Sequence, residues 1–105
     1  MNPISKALEH LPGNWTKGGI DEHGNTCGLG HVYSFGMEDS IDFSQFRQAR
    51  DLMEEMARAE YPERVADLSP TYLAFAAFND HPDTTEAQVI AVMEKAATKY
   101  DELYG

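Results

Sequence analysis

The chain has 105 residues, 42% of them apolar, which suits a single domain with one modest core. Eighteen Asp and Glu against eight Lys and Arg leave a net charge of −10. That excludes the general electrostatic route to nucleic acid, which needs basic side chains against phosphates, and it disfavours anionic membrane surfaces. No apolar run approaches the ~20 residues of a membrane-spanning helix. Met1 to Leu11 lack the basic and apolar regions of a signal peptide. Cys27 is the only cysteine, so no internal disulfide can form, and a cytoplasmic location is expected.

The first predicted element is a short helix. Asn2 suits its cap and Pro3 its first position, and Ile4, Leu8 and Leu11 share a face. Pro12 and Gly13 stop it. Residues 13–30 then hold Gly13, Gly18, Gly19, Gly24, Gly28 and Gly30, a density that disfavours helix. Trp15–Ile20 and Asn25–Leu29 can pair across the intervening turn as a small hairpin; an irregular loop is the alternative. Either way, Trp15 is expected to anchor the segment on the helices. Residues 29–37 suggest a short helix ending near Gly36.

The second half is clearly helical. Asp42 and Gln45 have capping-box spacing. Phe43, Phe46, Met53, Met56 and Ala57 follow as an apolar stripe to about Glu60, with Leu52 at its edge. Pro62 ends this helix. Ser69-Pro70 opens another, whose run Tyr72–Phe78 is apolar on every side and which Asn79-Asp80-His81-Pro82 breaks. Asp83, Thr84 and Thr85 compete to cap the last helix, where Val89, Met93, Ala96, Tyr100 and Leu103 form one buried face. The expected fold is mainly α: a single domain over residues 1–105, a bundle of four to five helices with a Gly-rich insertion near 14–30.

Candidate chemistry is sparse. Cys27 could serve as a nucleophile if folding brought a histidine (His10, His23, His31 or His81) and Asn79 beside it. The competing reading is an inert cysteine packed under Trp15. His23, Cys27 and His31 are spaced four apart and would share a helix face, but the glycines between them oppose that helix and a fourth zinc ligand is missing. No metal site and no cofactor are therefore expected. Asn79 and Asp80 suit either a pinned corner between helices or a ligand site facing the Gly-rich segment. The acid excess lies after residue 37, and Asp51, Glu54 and Glu55 mark a candidate docking face on the long helix. A solvated surface that maintains solubility is the plainer reading of the same residues.

Three landmarks combine: Asn-Trp-Thr-Lys-Gly at 14–18, Thr-Cys-Gly-Leu-Gly at 26–30, and Phe-Asn-Asp at 78–80 followed by Thr84-Thr85. Together they resemble an uncharacterised family of small domains from actinobacteria and their phages. The resemblance spans residues 4 to about 97. It implies that Trp15, Cys27, Asn79, Asp80 and a helix-capping Thr belong to one framework, with Trp15 and Cys27 meeting the Asn-Asp corner. His31 stands where such proteins often have alanine, which argues against a family-wide base there. The expected function is a non-enzymatic module that binds a protein partner of the host or virus. The alternative is a cysteine-dependent enzyme or small-ligand-binding domain using Cys27 near Asn79 and Asp80; Trp15, Cys27, Asn79 and Asp80 together are the candidate ligand or partner site.

Overall fold

The computed structural model describes residues 2–18, 24–36, 43–65 and 74–105. Five α-helices account for most of them, and among the described residues there is no β-strand. The helices are α1 (Pro3–Leu8), α2 (Gly28–His31), α3 (Phe43–Glu60), α4 (Ala74–Asp80) and α5 (Glu86–Tyr104). A π-helical turn, Val32–Gly36, continues α2, and a 3-10 turn, Pro62–Arg64, follows α3.

The caps form as their residue types dictate. Asn2 Oδ1 accepts from the amides of Ile4 and Ser5 at 3.0 and 3.2 Å, while Pro3 occupies a position that needs no donor. The same side chain donates through Nδ2 to the Ala97 carbonyl at 2.8 Å and to Asp101 Oδ1 at 3.0 Å, so one residue caps α1 and pins it to α5. Of the three candidates for the α5 cap, Thr85 takes the position in a reciprocal capping box with Gln88. Thr84 is buried instead and receives a hydrogen bond from Arg64. The predicted cap at Asp42 and the Ser69-Pro70 helix start lie outside the described residues.

Helices α3 and α5 pack antiparallel. Glu55 accepts from Lys99 Nζ at 2.6 Å, and Glu60 pairs with Lys95, so position falls along α5 as it rises along α3. Between them and the short helices lies a core of Ile4, Leu11, Val32, Leu52, Met53, Phe75, Phe78, Val89, Val92, Met93 and Tyr100, together with small alanines. Two stripes differ at their ends from the heptad-like pattern. Phe43 is 60% exposed and Leu103 is 56% exposed, although both were expected to be buried; Leu52, placed at the stripe's edge, is buried. Register explains Phe43. Extending the Glu55–Lys99 pairing puts the end of α5 opposite roughly residue 50, so α3 overhangs by about 10 Å at 1.5 Å per residue. Leu103 lies in the last turn of α5, past the point where Asn2 begins the packed N-terminus.

The expected hairpin does not form among the described residues. Trp15 and Thr26 make a single parallel bridge: the Thr16 amide donates to the Thr26 carbonyl, and the Thr26 amide donates to the Asn14 carbonyl, both at 3.2 Å. A hairpin would have carried Gly28 and Leu29 into a strand. Instead the chain turns at Cys27 into α2, which lays Gly28 directly on the core. A Cβ built at Gly28 would stand 2.7 Å from Phe75 Cζ and 2.9 Å from Met93 Sδ. Backbone and core touch there with no room for a side chain.

Gly28→Ala should therefore overpack the α2–α4–α5 junction and lower unfolding stability by about 1–3 kcal/mol. Urea denaturation followed by far-UV circular dichroism measures this; unchanged stability would mean that the junction has slack.

Candidate functional site

The residues flagged by the motifs converge at the end of α4, where Asn79 is wholly buried. Its Oδ1 accepts two hydrogen bonds, from the Trp15 indole Nε1 at 2.8 Å and from the Gly28 amide at 3.1 Å. Its Nδ2 donates two, to the Thr16 carbonyl at 3.2 Å and to Asp80 Oδ1 at 3.1 Å. A primary amide offers two acceptor sites and two donors, so Asn79 is saturated. The neighbours also fix its orientation, because the indole and the amide can only donate and the Thr16 carbonyl can only accept. Three segments distant in the chain, 15–16, 28 and 79–80, are thereby held at one point.

Asp80 extends the same arrangement outward. Exposed at the surface, it accepts from the Gly18 amide at 2.6 Å. Gly18 has φ +77, a conformation that a residue with a Cβ adopts with strain. Lys17 Nζ donates to the Pro82 carbonyl at 2.9 Å, and the Gly13 amide donates to Glu86 Oε1 at 3.2 Å. The strap over 13–18 is thus fastened at four residues: Asn79 and Asp80 of α4, Pro82 of the following turn and Glu86 at the start of α5.

Cys27 is half-buried at the N-cap of α2, where its Sγ accepts from the Gly30 amide at 3.3 Å. It is thus a capping group and only partly buried. His31 is almost completely buried, and its Nδ1 lies 3.0 Å from the carbonyl oxygen of Cys27, not from the sulfur. His81 Nδ1 accepts from the Asp83 amide, which engages it in its own turn. His23 lies outside the described residues, and among those described no group of three or more His, Cys, Asp and Glu could hold a metal ion.

The three carboxylates of the candidate docking face have different environments. Asp51 pairs with Arg50 at 3.1 Å, and Glu55 pairs with Lys99 on α5. Glu54 is turned partly inward, with its Oε1 enclosed, lacking a hydrogen bond, and 3.9 Å from Arg50 Nε. Burial raises its carboxyl above the usual range, Arg50 and Arg58 oppose that, and Asp51 adds to it. Arg and Lys side chains therefore partner much of the charge along this face.

Sequence reasoning did not anticipate the aromatic group at the overhanging end of α3. Tyr33, on the π-helical turn, meets Phe46 edge to face at a centroid distance of 5.7 Å and an interplanar angle of 87°. Tyr33 is 58% exposed, and Phe43 stands one helical turn before Phe46, also exposed. The apolar spacing of residues 43 and 46 was visible, but the register of α5 against α3, which decides whether they are covered, was not. Arg64 was also missed. It donates through Nη1 to Thr84 Oγ1 at 3.0 Å and Gln88 Oε1 at 2.7 Å, and it lies over the Tyr61 ring, which stacks on Phe78.

The family of unknown function DUF6197 matches residues 4–99, and the chain belongs to that family. No curated protein and no solved structure matches it. Among the described residues, no helix is long and apolar enough to cross a membrane.

Asn79→Ala would strand the indole N–H, the Gly28 amide and the Thr16 carbonyl, and should cost about 3 kcal/mol at roughly 1 kcal/mol or more per unpaired group. Trp15→Phe removes one of these bonds along with part of an aromatic ring, and should cost less. Urea midpoints of the two variants test that order, and equal losses would contradict the hub. Glu54 has a pH signature. Its folded pKa lies above its unfolded value, taken as 4.5, so stability should fall as pH rises from the unfolded value through the folded one. Glu54→Gln should flatten that slope and leave the protein more stable at neutral pH; thermal melts from pH 4 to 8 would show it.

Proposed function

We propose that this protein is a non-enzymatic protein-interaction module, encoded in actinobacteria or their phages, which acts in the cytoplasm on a host or viral protein. The observation behind this reading is the saturation of Asn79. A ligand-binding or catalytic amide keeps a donor or acceptor for its substrate, whereas all four of this one are used inside the fold. The Trp15, Asn79 and Asp80 groups act as fasteners of the scaffold. Cys27 acts the same way, because its sulfur caps α2 and the His31 ring nitrogen faces its carbonyl oxygen. Among the described residues no base hydrogen-bonds the sulfur, so the arrangement lacks the paired base of a Cys–His nucleophile.

Recognition then belongs to the outer surface. The aromatic end of α3 is its most distinctive feature, since exposed aromatic side chains are the common anchors of protein interfaces. Tyr33 and Phe43 present such anchors, with Phe46 half-buried behind them.

Tyr33→Ala with Phe43→Ala removes exposed rings and should leave the urea midpoint nearly unchanged. Used as bait in actinobacterial lysate beside the parent protein, this variant should lose at least tenfold of any protein that the parent retains reproducibly. Equal recovery by both baits, or no specific recovery by the parent, would overturn the reading. Cys27→Ser preserves a capping atom and should leave capture intact. If it abolished capture or a measured activity, the cysteine-dependent alternative would take precedence.

A further inference from the structure

We draw no further inference here: the strongest candidate, the exposed aromatic patch of Tyr33, Phe43 and Phe46 where the π-helical turn meets the start of α3, belongs to the surface already described, and nothing in the structure shows what covers it.

Discussion

The described parts of the molecule depend on one buried amide. Asn79 sits where two stretches of chain would otherwise bring three unpaired polar groups out of water: the Trp15 indole and the Thr16 carbonyl from one, the first amide of α2 from the other. Each would be costly alone, and each is satisfied by the same side chain. Asparagine is suited to this position because it accepts and donates without charge. Aspartate would match the two donors but would bury a charge and oppose the Thr16 carbonyl. Leucine would leave all three groups unpaired. Asn2 repeats the device at the other end of the chain, capping α1 with its oxygen and holding α5 with its nitrogen.

Around that lock, the described parts of the Gly-rich segment, 13–18 and 24–30, form a strap with one bridge and no strand. Its single bridge is parallel, and its direction of travel is set by where Gly28 must land on Phe75 and Met93. The absence of a side chain at Gly28 is a packing requirement. Gly18 meets a different requirement, a positive φ that directs its amide to Asp80. The motif residues Trp15, Gly18, Gly28, Asn79 and Asp80 are thus bonded to one another within the fold.

What was legible in the sequence followed local chemistry. Asn2-Pro3, Thr85 with Gln88, and Pro62 mark element ends because capping and ring closure act within a few residues. The motif resemblance implied that Trp15 and Cys27 meet the Asn79-Asp80 corner; Trp15 bonds Asn79, whereas the Cys27 sulfur bonds Gly30 and the neighbouring Gly28 amide reaches Asn79 instead. The bond pattern there was not implied, since it depends on which carbonyl and which amide reach the same amide group. The exposure of Phe43 and Leu103 was not legible for a related reason. Apolar periodicity identifies a face but not how far the neighbouring helix extends along it. The neutralisation of Glu55 by Lys99 depends on the same antiparallel register between α3 and α5.

The Asn79 lock also has a temporal side. Its partners precede it by 51 to 64 positions, so during synthesis the N-terminal strap leaves the ribosome long before the residue that fastens it. Until Asn79 emerges, Trp15 and the glycines around it have only local contacts, and closing so long a loop carries an entropic cost that only tertiary packing repays. The strap over 13–18 can therefore be fastened only once the last third of the chain is present. A nascent chain stalled before α4 would expose its tryptophan and its unpaired backbone groups to chaperones and proteases.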